Sequence, residues 1–388
     1  KTWTRFGRRI PYLFVGSLVA VLVMCLLPNA GSFGMAVSTA MIFGLVSLMF
    51  LDTSINMAMQ PFKMMVGDMV NEKQKGLAYS IQSFLCNAGS LVGFLFPFIF
   101  TWIGISNIAP QGVVPDSVIY SFYIGAAILI LCVIYTTVKV KEMPPAEYAE
   151  YHGITEEEKK EKINMVKLLV KAPKAFWTVG LVQFFCWFAF MFMWTYTNGS
   201  VAANVFDAPT VETVVNGASK IVLDTKSIQY QNAADWVGVL FAVQAIGSVL
   251  WAVCIPMFKN RKLIYSLSLV LGGIGFISTY FVHNQYVLFI SFLLIGCAWA
   301  AMLALPFTIL TNALSGGHMG TYLGLFNGTI CIPQIVAATL GGSILALFTP
   351  KGMLPPEINM LVMAGVMLII GAVCVYLIKE TKGEQAKA

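Results

Sequence analysis

The chain alternates long apolar stretches with short polar ones. The apolar stretches run roughly over 10–28, 35–62, 76–101, 117–138, 176–197, 235–257, 262–282, 286–313, 319–347 and 357–378. Each has the ~20 residues that an α-helix needs to cross the ~30 Å hydrocarbon core of a bilayer. The pattern predicts an all-α, polytopic membrane protein with ten spans in this chain. The fourth and fifth spans are separated by the longest charged stretch, residues 138–177, expected to be partly helical between Ile154 and Lys171. Four spans precede it and six follow. The expected organisation is an N-terminal helix bundle over 1–143, a cytoplasmic linker over 144–175 and a C-terminal six-helix bundle over 176–388. One long loop, about 200–233, has the polar and Gly/Asn/Asp content of a surface excursion.

Composition supports this reading. Of 388 residues, 58% are hydrophobic and only 11% charged, too little charge to cover the surface of a soluble domain of this length. A net charge of +6 would suit a nucleic-acid partner, but its distribution argues against one. With the first residues in the cytoplasm, the inside stretches hold 20 Lys/Arg and the outside loops three, Lys220, Lys226 and Lys351, while Lys63 lies within a span. That bias orients the chain with both termini cytoplasmic, and no nucleic acid is needed to explain it. The expected location is a cell membrane, of the bacterial inner-membrane kind. All eight cysteines fall in apolar runs and are expected to act as small apolar residues rather than as a disulfide framework. Asn198-Gly-Ser forms a glycosylation sequon at an outside edge, a triplet that also arises by chance. Enzyme chemistry is not expected. His152, His283 and His318 lie far apart without metal-ligand spacing, and no Gly-x-Ser-x-Gly, His-Glu-x-x-His or phosphate-binding loop is present. No metal or cofactor is implied.

One apolar run breaks the pattern by carrying charge. In "LDTSINMAMQPFKMMVGDM", residues 51–69, Asp52, Lys63 and Asp68 interrupt a membrane helix. On an α-helix Asp52 and Lys63 fall ~20° apart and about 16 Å along the axis, with Asn56 ~40° and Gln60 ~80° from Asp52. One side is a polar strip; the other, with Ala58, Pro61 and Met65, is apolar. An ionisable group at mid-bilayer costs at least ~2.5–3.5 kcal/mol, so the strip is expected to face a water-filled cavity. Asp52 is the acid placed well inside a span. Desolvation raises a carboxyl pKa, so such a group can load and release a proton as its surroundings change; the alternative is a structural acid paired with a neighbouring helix.

Three motifs carry a resemblance. "RFGRRIPYL" at 5–13 resembles the loop between the second and third helices of major facilitator transporters, in the form found in the sucrose-transporter-like branch and the related glycoside–cation symporters. The stretch at 51–69 is similar to that branch's fourth helix, and "YLGLFNGTICIPQIV" at 322–336 to its eleventh. The seventh helix of the branch often ends in Asp-x-Asp before Trp, where this chain reads "FMFMWTYTNG". On this resemblance the fold is the major facilitator fold, with twelve spans in the full protein. Two spans are then expected upstream, in roughly 50–70 residues, with the family's Asp shortly before Lys1.

The resemblance implies a proton-coupling and sugar-contacting role for Asp52, with Asn56 and Gln60 beside it. Lys63 stands where the family usually has Arg, a point charge in place of a planar fork; it either donates to sugar hydroxyls or snorkels to the interface. Asp68 is implied to pair with Arg8, closing the cytoplasmic side, or else is a solvated surface acid. Asn327 and Gln334 share one helix face, with Pro333 between them loosening a helical hydrogen bond. Trp187, Phe188, Trp194 and Tyr196 suit stacking on a pyranose ring or an interfacial belt, Trp187 being the deepest. Gln82 and Gln244 line the cavity or bond across helices. The expected function is a proton-coupled disaccharide or glycoside symporter working as a monomer by alternating access, its partners the sugar, the proton and the lipid bilayer. The alternatives are a sodium-coupled glycoside symporter, a proton-driven exporter of the same fold, or a sensor that does not transport.

Overall fold

A computed structural model of the chain describes residues 4, 6–32, 34, 37–70, 72–105, 114–144, 147, 150, 165–215, 218–258, 260–313, 319–350 and 352–378. Its helices are α1 (Ile10–Leu26), α2 (Val37–Met69), α3 (Glu72–Trp102), α4 (Asp116–Lys139), α5 (Met165–Val170), α6 (Lys174–Asn204), α7 (Ile228–Cys254), α8 (Arg261–Ser278), α9 (Leu288–Ala313), α10 (Met319–Phe326), α11 (Gly328–Phe348) and α12 (Ile358–Cys374). Each of the ten apolar runs is helical. Among the described residues nine helical segments have the length and apolarity to cross a bilayer, and α3 contributes a shorter apolar stretch, Phe84–Phe96. The ninth run is interrupted at Asn327, between α10 and α11.

Lipid offers no hydrogen bonds, so polar side chains inside the spans turn back onto their own helices. Hydroxyls of Ser54, Ser121, Thr136, Thr197, Ser200, Ser268 and Thr339 each donate to the carbonyl four residues earlier. At the polar ends the usual caps operate: Ser227 accepts from Tyr230 N–H at the start of α7, and Asn260 from Leu263 N–H at the start of α8.

Three expectations about the polar segments change. The long loop after α6 is not irregular: β1 (Thr210–Val215) and β2 (Ala218–Leu223) form an antiparallel hairpin, Thr210 opposite Leu223 and Val215 opposite Ala218. The flanking helices run further than the apolar pattern implied, α6 to Asn204 and α7 from Ile228. Asn198 therefore lies inside α6, half-buried, where its amide donates to Tyr230 Oη at 2.9 Å; a sequon in a helix is a poor glycan acceptor. Of the helix expected between Ile154 and Lys171, Met165–Val170 is observed and the stretch 154–164 lies outside the described residues.

The chain divides into two compact units, Lys1–Gln82 with Val92–Lys162, and Ser83–Leu91 with Ile163–Ala388. In the first, α1 packs on α2 and α4 around Ile10, Leu13, Ala58, Met65 and Val133. Gly16 makes this approach possible: a Cβ there would sit 2.9 Å from the Ser54 carbonyl oxygen and 3.1 Å from Ala58 Cβ. The second unit wraps α7, α9, α11 and α12 around α6, which is buried on most of its surface. Its α8 and α12 meet through a glycine pair. A Cβ on Gly273 would lie 2.9 Å from the Gly365 oxygen, and one on Gly365 2.7 Å from the Gly273 oxygen.

Gly16→Val forces α1 off α2 and is expected to destabilise the first unit by about 1–3 kcal/mol, the usual cost of overpacking. It should lower the thermal midpoint of the purified protein and broaden its size-exclusion peak. An unchanged midpoint would show that this contact does not hold the two helices together.

Candidate functional site

Close packing at Gly16 fixes the rotation of α2. Ser54, Ala58 and Met65 are buried at 4%, 8% and 7% exposure, two of them in the core against α1. Asp52 lies two residues from Ser54, ~200° around the helix, and its side chain is exposed. The Asn56 amide, one turn on, donates to the Asp52 carbonyl oxygen at 2.9 Å and to its carboxylate Oδ1 at 3.2 Å. Asp52 and Asn56 thus form one polar patch with an open carboxylate. Lys63 is half-buried further along α2 and takes part in a polar interaction of its own. The side chains of Gln60 and Asp68 lie outside the described residues, and with Asp68 the expected pair to Arg8.

A different acid occupies the Arg-rich loop, and the sequence did not single it out. Glu142, three residues past the end of α4, places its carboxylate over the first turn of α1. Oε2 accepts from Arg8 N–H at 2.9 Å, and Oε1 accepts from Arg9 N–H at 2.7 Å and Ile10 N–H at 2.6 Å. Three amides at a helix start form an anion site, with the helix dipole adding to it. Gly7, at φ +107, turns the chain under this carboxylate; a Cβ there would lie 2.7 Å from Oε1. Beside it, Met69, Lys141, Glu142, Met143, Pro144 and Glu147 line a groove of about 300 Å³. No sequence signal pairs residue 142 with residues 8–10, since the contact spans more than 130 positions.

In the second unit the polar and aromatic side chains gather on α6 and α9. Trp187 is 9% exposed, its ring centroid 6.4 Å from Trp194 and 5.8 Å from Trp299. Trp299 also contacts Trp194 at 5.8 Å and Phe190 at 4.9 Å. The ring left open for stacking is Trp194, at 42% exposure, not the deeper Trp187. Trp299 escaped the sequence reading because it sits in an unbroken apolar run. Phe188 and Tyr196, at 5% and 8% exposure, pack into the core through Phe192. Gln183, fully buried one turn before Trp187, donates to the Met302 carbonyl at 3.0 Å, while its Oε1 and the Trp187 indole N–H have no hydrogen-bond partner among the described residues. Gln183 carried the same signal as Gln82 and Gln244, a lone amide in apolar sequence. Gln244 is buried on α7, its backbone oxygen against Gly296 of α9; Gln82 is half-buried, its amide nitrogen without a partner among the described residues.

Asn327 and Gln334 are both half-buried, but Asn327 sits at the helix break itself. Its N–H reaches back to Leu323 and Gly324, and its side chain approaches Cys331 Sγ at 3.8 Å. The expected loosening at Pro333 is not where the helix breaks: Pro333 is buried inside α11. Among the described residues no cluster of His, Cys, Asp or Glu could hold a metal ion. Among the described residues the first unit presents the Asp52–Asn56 patch on α2, and the second the amides and indoles of α6 and α9.

The family model of the Major Facilitator Superfamily matches residues 2–223 and 201–388. The chain belongs to the major facilitator superfamily. It is a multi-pass membrane transporter and not an enzyme. No curated protein matches it in sequence. Among solved structures, it resembles a variant of the E. coli fucose:proton symporter at 13% identity and TM-score 0.60, over 96% of this chain and 84% of that one. The inward-open xylose transporter from E. coli matches at 14% and TM-score 0.62, over 97% and 81%. A bacterial homologue of the human lysosomal transporter Spinster matches at 14% and TM-score 0.55, over 98% and 84%. At these identities the likeness shows the major facilitator fold alone.

In this transporter Glu142 holds the entry to α1. Glu142→Ala leaves three amides without their acceptor, each such bond to a charged group being worth about 1.5–3 kcal/mol. Amide exchange at Arg8, Arg9 and Ile10 should accelerate at least ~10-fold, with exchange in α12 unaffected. Equal exchange rates in both proteins would mean that the carboxylate does not stay on those amides in solution.

Proposed function

We propose that this chain is a proton-coupled sugar symporter that works by alternating access, with Asp52 as the proton carrier and its substrate a disaccharide or glycoside of the kind moved by the sucrose-transporter-like branch. The observation that carries this reading is the Asp52–Asn56 patch on the exposed side of α2. A carboxylate within a span costs free energy on any insertion scale, and no structural contact of the α1–α2 core explains it. The amide beside it can hold a hydroxyl while the acid exchanges a proton. Support of a second kind comes from the folds matched, one of them a fucose:proton symporter and another a xylose transporter. The amides and rings of α6, α9 and α11 suit an uncharged, hydroxyl-rich ligand, with Trp194 the open stacking surface. The three motifs at 5–13, 51–69 and 322–336 favour the disaccharide and glycoside branch.

The test is uptake into proteoliposomes of a panel of mono- and disaccharides under an imposed pH gradient. Wild type should accumulate one of them uphill. Asp52→Asn, which keeps size and removes the proton, should bring the accumulation ratio down to about one, since coupling needs a site both ligands bias, while sugar exchange continues. Undiminished uphill uptake by the variant would remove Asp52 from the coupling role. Accumulation driven by sodium and indifferent to pH would replace the proton.

A further inference from the structure

Glu357 is the residue immediately before α12, and its carboxylate does not do what a carboxylate there ordinarily does. An acid at a helix start turns onto the free N–H groups of the first turn, where the dipole favours its charge. Glu357 makes no such cap bond. Its side chain instead lies across α6, in contact with the place where Gly199 has no side chain; a Cβ on Gly199 would collide with Oε2. Gly199 itself is buried, as are Ser200 and Tyr196 on the same turns of α6. A small cavity lies beside the contact, lined among others by Ser200, Thr279, Ile358 and Leu361. Among the described residues no hydrogen bond or ion pair reaches the Glu357 carboxylate, and burial pushes its pKa up to about 7.

Among the described residues no cation is paired with the charged form. Tyr196 is the titratable group facing Glu357 from α6. Cys186 and Lys174, the other titratable residues of α6, lie three turns or more away along the helix. On α8 the titratable residues are Arg261, Lys262 and Tyr265, at its far end; on α11 the one is Cys331, near its start, and on α12 Cys374, its last residue. Asp207, Asp224, Lys226, Tyr280 and His283 stand in the loops at this end of the unit, and Lys351 lies outside the described residues. A buried carboxylate without a partner is costly when ionised and tolerated when neutral.

We propose that Glu357 is a proton-binding site at the end of the second unit that the charge bias assigns to the outside, and that its proton seats α12 on α6 across Gly199. Protonated, the side chain lies in the crevice that Gly199 leaves open. Ionised, it swings to water, and the α6–α12 seam loosens at that end. The proton is taken from and returned to solvent, with no other bond changed. The site is separate from Asp52, which belongs to the other unit, and it does not depend on which substrate is carried. The sign follows from the burial. The seated state binds the proton more tightly than the solvated one, so seating is complete below the ordinary carboxylate range of 4.5 and is lost as pH rises through about 7.

Two measurements on the purified full chain test this. Infrared pH-difference spectra should show a protonated carboxyl that titrates near 7 and is absent from Glu357→Gln. In Gly199→Ala, where the crevice is filled, the same band should move down to the ordinary carboxylate range. Maleimide labelling of Ser200→Cys, corrected for the parent protein and divided at each pH by the labelling rate of a free thiol to remove the thiolate dependence, should quicken about 10-fold per pH unit between about 5 and 7. On the same normalised scale the double variant Ser200→Cys, Glu357→Gln should be slow and independent of pH. A carboxyl titrating below pH 5 in wild type, a band that survives Glu357→Gln, or labelling with the same pH profile in both cysteine variants would each overturn the assignment. The infrared comparison of wild type with Glu357→Gln stands even if Gly199→Ala fails to fold.

Discussion

A helix embedded in lipid gains nothing by pressing apolar side chains against another apolar helix, because the acyl chains it leaves are as apolar as leucine. Association must come from close packing of backbones and from polar contacts, and the structure is arranged around that constraint. Gly16 brings α1 onto the backbone of Ser54 in α2, and Gly273 and Gly365 bring α8 and α12 together carbonyl to carbonyl. Large apolar residues such as Ile128, Leu131 and Val138 on α4 stand exposed along the helix. In a soluble protein that would be a defect; in a bilayer it is the solvated face.

The same medium explains three different treatments of a carboxylate. Glu142 lies past the end of α4, where three amides of α1 share its charge. Asp52, inside α2, stays exposed with the Asn56 amide against it. Glu357 is half-buried with no hydrogen bond among the described residues, and loss of solvent pushes it up to about 7. The first carboxylate sits on backbone donors, the second beside one side-chain amide, and the third where no hydrogen bond among the described residues reaches it and its protonated form is favoured.

Hydropathy made the helices legible, since a run of twenty apolar residues has few alternatives in a bilayer. It did not set their ends. The polar turns at 198–204 and 228–234 are helical because residues such as Asn198 and Tyr230 bond to each other across α6 and α7, a tertiary fact. The hairpin was legible in principle: Asn216-Gly217 stands between two runs rich in Val, Thr and Ile, a strong hairpin signal, and reading the stretch as merely polar concealed it. The polar strip of α2 followed from helical geometry, and Ala58 and Met65 do face the core opposite it. Glu142, Gln183 and Trp299 were not recoverable in the same way. Their meaning lies in partners at positions 8–10, 302 and 187–194, and no local periodicity encodes a partner that distant.

Packing and site chemistry are joined most tightly at α2. A side-chain contact between α1 and α2 would tolerate some rotation, because methyl groups can be exchanged for one another as knobs in a groove. A backbone contact does not. With Gly16 resting on the Ser54 oxygen at 2.9 Å, turning α2 by one residue, about 100°, would drive a Thr or Ile side chain into that gap. The polar face would turn by the same angle, toward α1 or α4, and Asp52 would lose its exposure. One missing methyl group on α1 therefore decides which way the Asp52 carboxylate points. The sequence stores that decision in a glycine remote from the acid it positions.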